Sequence, residues 1–179
     1  LPALSKHLAA VWSLDPSAVA IEFKDQRITW AQMRALAARV DELLNAQPLT
    51  KGAAIGIVLR NRPGVVCAFV GLLVGGRSIV SINPHYPAEA LAAELKELNL
   101  AAIVGDEMDW REQRIRDAAR ESGTMGISLR ADSSGADAVA GLESVGAGAH
   151  RALPEGVALE ILTSGTTGKP KGIHARYSA

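Results

Sequence analysis

Leu162-Thr163-Ser164-Gly165-Thr166-Thr167-Gly168-Lys169-Pro170-Lys171-Gly172 gathers hydroxyls, glycines and two lysines into one short stretch. Immediately before it, Val157-Ala158-Leu159-Glu160-Ile161-Leu162 reads as a strand. After it, Gly172-Ile173-His174-Ala175-Arg176-Tyr177 is short and β-compatible. Glycine lets successive backbone amides converge on an anion, the hydroxyls add directional donors, and the lysines add charge. The guest that suits such a loop is a polyphosphate. It is not the common nucleotide loop G-x-x-x-x-G-K-[ST], because Thr163 stands where the first glycine is required and Pro170 occupies the Ser/Thr position. The dinucleotide fingerprint G-x-G-x-x-G fails for the same lack of a first glycine. A loop between two strands fits better than a strand–loop–helix, since proline supplies no N–H to an amide cradle.

Working back from this loop, the chain alternates strands and helices. Residues 53–59, 78–82, 101–104 and 125–129 are short apolar runs of the kind covered on both faces of a sheet. Between them, helices are expected at 61–75, 87–99 and 110–121, the second opening on Pro87 at its first turn. An amphipathic helix at 4–12 and two short strands at 18–23 and 27–29 come first. A helix over 30–45 follows, capped by the Thr29 hydroxyl and carrying Met33, Leu36, Val40 and Leu44 on one stripe. Strands alternating with helices of this length indicate an α/β fold: an open, mostly parallel sheet flanked by helices, with its ligand loop beyond a strand's carboxyl end. Residues 130–156 are rich in Gly, Ala, Ser and Asp with little bulk, and read as a loosely packed surface excursion.

Composition narrows the function. Nineteen Lys and Arg balance nineteen Asp and Glu, so no broad basic field invites nucleic acid, and 4% aromatics offers no stacking platform for bases. The longest uncharged run, 64–76, is too short to span a membrane and is closed by Arg77. The chain opens on Leu1 and shows no signal-peptide layout, so a cytoplasmic piece of a longer protein is expected. Cys67 is the single cysteine, inside an apolar run, and reads as a small buried hydrophobe. His7, His85 and His150 share no ligand spacing with one another or with Cys67, so no metal site is expected from them. Gly71, Gly75 and Gly76 are read as close helix packing or a helix C-cap.

The stretch 163–172 meets every fixed position of T-S-G-[ST]-T-G-x-P-K-G. It resembles the phosphate-binding signature of the adenylate-forming enzymes: acyl-CoA synthetases, luciferase-like enzymes and peptide-synthetase adenylation domains. Ile28-Thr29-Trp30-Ala31-Gln32-Met33, Lys51-Gly52-Ala53-Ala54-Ile55, and Ile82-Asn83-Pro84 with Tyr86-Pro87 resemble further segments of that family in order and spacing. The resemblance covers the whole chain and implies that residues 1–179 are a partial, N-terminal portion of the family's large domain, without the small C-terminal domain. It implies that Thr163, Ser164, Thr166 and Thr167 contact the β- and γ-phosphates of ATP. Gly165 and Gly168 would give the tight backbone path, and Lys171 electrostatic support, while Lys169 falls on a variable position. No catalytic residue or metal ligand is expected within these residues.

By that resemblance the full-length parent activates a carboxylic acid with ATP, with Mg²⁺, to an acyl-adenylate and releases pyrophosphate. It then transfers the acyl group to CoA. Amino-acid or aryl-acid loading onto a carrier-protein thiol is the alternative, and a non-catalytic interaction module is a further one if the protein ends near residue 179. Residues 1–179 alone are expected to be inactive and to self-associate through apolar surface. Leu162 stands where many relatives carry an aromatic residue. Tyr177 stands where acyl-CoA synthetases usually carry a histidine near the acyl-binding entrance, which bears on gating or substrate choice. His174 is three residues too early to replace that histidine and reads as a strand surface residue.

Overall fold

The computed structural model describes residues 2–163 and 171–178. Helix α1 (Ala3–Trp12) leads into a separate hairpin, β1 (Val19–Phe23) with β2 (Gln26–Thr29). Helix α2 (Trp30–Asn45) starts as its sequence dictates. Thr29 Oγ1 accepts from Gln32 N at 3.3 Å, and Gln32 Oε1 accepts from Thr29 N at 2.9 Å, a reciprocal cap that satisfies two orphan donors.

The main sheet follows: β3 (Ala54–Val58), α3 (Pro63–Val74), β4 (Ser78–Ile82), α4 (Ala88–Leu98), β5 (Ala102–Asp106), α5 (Gln113–Glu121), β6 (Met125–Leu129), β7 (Ala136–Ala138), β8 (Val157–Thr163) and β9 (Lys171–Arg176). Its strand order is β7-β6-β5-β3-β4-β8-β9. The central strands are parallel, and the two edges, β7 and β9, are antiparallel to their neighbours. Every residue of β3, β4 and β5 is buried, which is why these strands read as unbroken apolar runs.

Helices cover both faces. On one, α2 and α3 bury Leu36, Val40, Leu44 and Leu72 against Ile55, Ile57 and Ile79. On the other, α4 and α5 bury Leu91, Leu95 and Ile115 against Ile82 and Ile103. Gly71 of α3 sits against α2 so closely that a Cβ there would stand 2.6 Å from the Ala37 Cβ, and Gly75 caps the helix. Cys67 lies in the first core with no exposure, and burial pushes its thiol up to about 11, leaving it unreactive.

Two expectations are corrected. Residues 110–121 do not form one helix: a 3₁₀ turn covers Asp109–Arg111, Glu112 is extended, and α5 begins at Gln113. The Trp110 indole is buried and donates to Ile127 O at 3.0 Å, so this bulky residue anchors a turn to the sheet instead of facing along a helix. Nor is 130–156 a loose excursion. It contributes β7, buries Val139, Leu142 and Leu153, and donates Arg151 N to Asn99 O at 2.8 Å. Its small residues permit close backbone contact, as where a Cβ on Gly146 would lie 2.7 Å from the Gly123 Cα.

Candidate functional site

All the parallel strands point the same way, so their carboxyl ends share one rim of the sheet. Open α/β sheets bind ligands at this rim, at the point where successive connections leave for opposite faces. In this chain that point lies between β3 and β5. The two are neighbours, but α3 leaves β3 over one face while α5 follows β5 over the other. The crevice is already filled with charge. Arg60, just past β3, donates Nε and Nη2 to Asp109 Oδ1 at 2.9 and 2.6 Å, and Arg62 Nε stands 3.4 Å from Asp106 Oδ2. Asp106 and Asp109 are both buried. The hydrogen bond to Asp109 holds the Arg60 guanidinium above its usual range. A polyphosphate arriving there would find both cations engaged by carboxylates. Sequence reasoning did not single out Arg60, Asp106 or Asp109. They lie far apart in the chain, and their pairing is visible only once β5 is placed beside β3.

The rim remains available one step further along, where β8 pairs in parallel with β4 (Val80↔Glu160, Ser81↔Ile161). Strand β9 then returns antiparallel to β8, pairing Thr163↔Lys171, Leu162↔Gly172, Ile161↔Ile173 and Glu160↔His174. The expected loop between two strands is therefore what the backbone builds. The first and last polar residues of the signature, Thr163 and Lys171, face each other across the hairpin, about 4.5–5.5 Å apart at Cα by the geometry of such pairs. Ser164, Gly165, Thr166, Thr167 and Gly168 lie outside the described residues, as do Lys169 and Pro170.

Beneath this hairpin lies a carboxylate that sequence reasoning missed. Glu160 points into the α4–α5 side of the sheet and is only 3% exposed. Arg151 Nη2 stands 2.7 Å from both of its oxygens, with its N–H directed at Oε1, and His174 Nε2 lies 3.3 Å from Oε1. Gly172 completes the setting, since a Cβ there would overlap the Glu160 carboxylate. The last glycine of the signature is thus required here by a neighbouring side chain. A cleft of about 410 Å³ opens beside the group, lined also by Glu94, Glu97, Leu98 and Leu162. Burial, then the neighbouring Glu97, pushes the Glu94 carboxyl up. One signal was legible in the sequence, an acidic residue within an otherwise apolar strand.

Tyr177 is placed away from the loop. It follows β9 at the other end of the hairpin, about 20 Å from Lys171 at ~3.4 Å per strand residue. Its phenol donates to Arg77 O at 2.6 Å, and its N–H donates to Gly156 O at 3.0 Å. Burial pushes the phenol up to about 12. The residue pins the hairpin to the start of β4. Arg111, Arg114 and Arg120, on α5 and the turn before it, are exposed, with pairs such as Arg111–Glu107 and Arg120–Asp117. Among the described residues, no three His, Cys, Asp or Glu side chains come together as a metal-holding group, and no helix is long and apolar enough to cross a membrane.

The rim loop after a parallel strand, closed by an antiparallel return and set in this sheet order, is the architecture of a known family. A family model described as AMP-binding enzyme matches residues 8–178, and the chain belongs to that family. Tyrocidine synthase 3 from Brevibacillus parabrevis is 28% identical over 159 residues, which cover 88% of this chain and 2% of that protein. Indigoidine synthase from Streptomyces lavendulae is 25% identical over 159 residues, covering 88% of this chain and 12% of that protein. Among solved structures, ATP-bound MatB from Rhodopseudomonas palustris superposes with a TM-score of 0.69 at 23% identity, over 99% of this chain and 35% of that one. The o-succinylbenzoate coenzyme A synthetase of Bacillus subtilis in complex with AMP gives 0.63 at 22% identity, over 98% and 42%. These structural likenesses show a shared fold. The chain spans a small part of the sequence relatives and less than half of the structural ones.

Proposed function

We propose that residues 1–179 are the phosphate-gripping portion of an adenylate-forming ligase. In the complete enzyme a carboxylate oxygen of the acid attacks the α-phosphorus of ATP. The bond from that phosphorus to the bridging oxygen breaks, and pyrophosphate leaves with the electron pair. A thiol then takes the acyl group and releases AMP. Thr163, Ser164, Thr166 and Thr167 donate to the β- and γ-phosphates, Gly165 and Gly168 give the backbone its path, and Lys171 supplies charge. Holding the outer phosphates in line and balancing their charge assists departure of the leaving group. Mg²⁺ accompanies such nucleotides, but the described residues offer no cluster to hold it, so no step is assigned to it here.

The observation that carries this reading is the Thr163↔Lys171 pairing, which closes the signature loop at the ligand-binding rim of the sheet. The acceptor thiol is CoA in the reading we favour, supported by upstream segments that resemble small acyl-CoA synthetases. Loading onto a carrier-protein thiol is the second reading, supported by the likeness to tyrocidine synthase 3. The test is acid-dependent ATP–pyrophosphate exchange by the complete encoded protein over a panel of acids, followed by transfer to CoA or to a carrier protein. Exchange above background is expected with at least one acid and about tenfold or greater loss in Lys171→Ala, as for a charge-assisted hydrogen bond of roughly 1.5–3 kcal/mol. No exchange with any acid sinks the reading. Residues 1–179 alone are expected to show none.

A further inference from the structure

Strand β9 carries the second half of the phosphate signature, yet little of the core holds it. Every residue from Gly172 to Arg176 is exposed, Ile173 stands 58% exposed, and no β9 residue joins either hydrophobic core. Among the described residues, no further strand pairs with its outer edge. What keeps it in register is the ladder to β8 and side-chain contacts at each end. At the far end Arg176 Nη1 donates to Glu155 O at 3.0 Å, and Tyr177 is tied to Arg77 O. Close to the loop, the anchor is the buried Glu160.

An interior position of a parallel strand is apolar by default, and a carboxylate there is costly unless it is paired and hydrogen-bonded. Glu160 is paired, and hydrogen-bonded through Oε1, only because two other segments converge on it. Arg151 comes from the chain approaching β8, His174 from the partner position on β9, and Gly172 leaves the space its oxygen occupies. The groups facing the carboxylate are therefore Arg151 and His174, with Glu94 and Glu97 of α4 across the cleft.

We propose that Glu160 is a positioning residue for the phosphate loop: with Arg151 and His174 it clamps β9 to β8 and so sets where Lys171 stands opposite Thr163. The proposal rests on the phosphate-loop reading for its consequence, but the clamp itself is measurable without any ligand. The informative variant is Arg151→Met combined with Glu160→Ile, which removes the charged cluster while keeping apolar volume. Replacing a buried ion pair in this way is often neutral or stabilising overall. His174→Asn, which weakens one arm only, serves as a second and milder variant.

In the complete chain, hydrogen exchange of the 172–176 amides is expected to accelerate at least tenfold in the double variant and less in His174→Asn. Exchange in β3 and β5 should stay unchanged. Tripolyphosphate affinity, measured by calorimetry, is expected to fall at least fivefold in the double variant while the unfolding midpoint holds or rises. A purely structural role would instead lower the midpoint and raise exchange across the whole sheet. Unchanged exchange at 172–176, or faster exchange with unaltered tripolyphosphate affinity, overturns the positioning role. A wild-type chain that binds no tripolyphosphate overturns the phosphate-loop reading instead, with the exchange result still reporting on the clamp.

Discussion

The effect of replacing Gly172 by alanine should change sign with the identity of its diagonal neighbour on β8, Glu160. Glycine inside a strand is ordinarily about 0.5–1 kcal/mol less favourable than alanine, so on backbone grounds Gly172→Ala should stabilise β9. The structure opposes this. A Cβ at 172 would overlap Glu160 Oε1 and would lie 2.7 and 2.9 Å from its Cδ and Cγ, so the whole carboxylate must move. Moving it separates Glu160 from Arg151 and His174. Breaking one partner from a buried ion pair costs about 3–5 kcal/mol, and the adjoining cleft, which lets the displaced carboxylate reach water, reduces that to an expected ~2–3 kcal/mol.

Glu160→Ala removes the obstruction, and in that background Gly172→Ala should be neutral or stabilising by up to about 1 kcal/mol. The cycle of wild type, two single variants and the double variant therefore predicts a coupling of at least ~2 kcal/mol. Urea unfolding reads it directly: at a slope of ~2 kcal/mol per molar, the Gly172→Ala midpoint should fall by about 1 M in wild type and not at all beside Glu160→Ala. Two substitutions that add to within ~0.5 kcal/mol would refute the placement of Glu160 over Gly172.

Other perturbations test the rest of the frame. Tyr177→Phe leaves the Arg77 carbonyl without its donor and should cost ~1–2 kcal/mol in chemical unfolding. The Tyr177 phenol ionises at about 12 when folded against an ordinary value near 10, so its contribution is complete below pH 10 and lost as pH rises to about 12. Ultraviolet titration of tyrosinate should show a component ionising at about pH 12 that Tyr177→Phe removes, and its absence from the wild type would contradict the burial. Arg60→Met strands the buried Asp109 carboxylate and should cost roughly 3 kcal/mol, read as a fall in thermal midpoint of about 6–12 °C. Ile161→Thr with Ile173→Thr dissolves the exposed cross-strand apolar pair on the open face of the hairpin. Any self-association of residues 1–179 seen by sedimentation should weaken in that variant, and unchanged association would place the contact elsewhere.

Where local rules act alone, the chain reads correctly. The Thr29 cap, the proline before α4 and the apolar runs of β3, β4 and β5 each name their element because a short-range constraint decides it. Reading fails where a residue's role is set by something distant in sequence. Trp110 looks like a helix former until Ile127 is brought beside it, and Ala136 and Leu142 look like excursion until β6 offers them an edge. The same distinction divides the candidate site. The signature 163–172 is legible because contiguous residues would wrap one ligand. The features that place it are not, since Arg60 meets Asp109 only through strand order, and Arg151 meets Glu160 only through the return of the chain after β7.

That division has a physical consequence for the ligand rim. With Arg60 and Arg62 committed to Asp109 and Asp106, the usual crevice between β3 and β5 offers little net attraction to an anion. Two strands away, the hairpin carries Lys171 at the start of β9, a strand that gains almost nothing from hydrophobic burial. An edge so weakly held by the core relies on its ladder to β8 and on directional contacts around Glu160, Arg176 and Tyr177. Polar groups buried in this part of the sheet therefore hold the hairpin, while the apolar core sets the stability of the frame behind it.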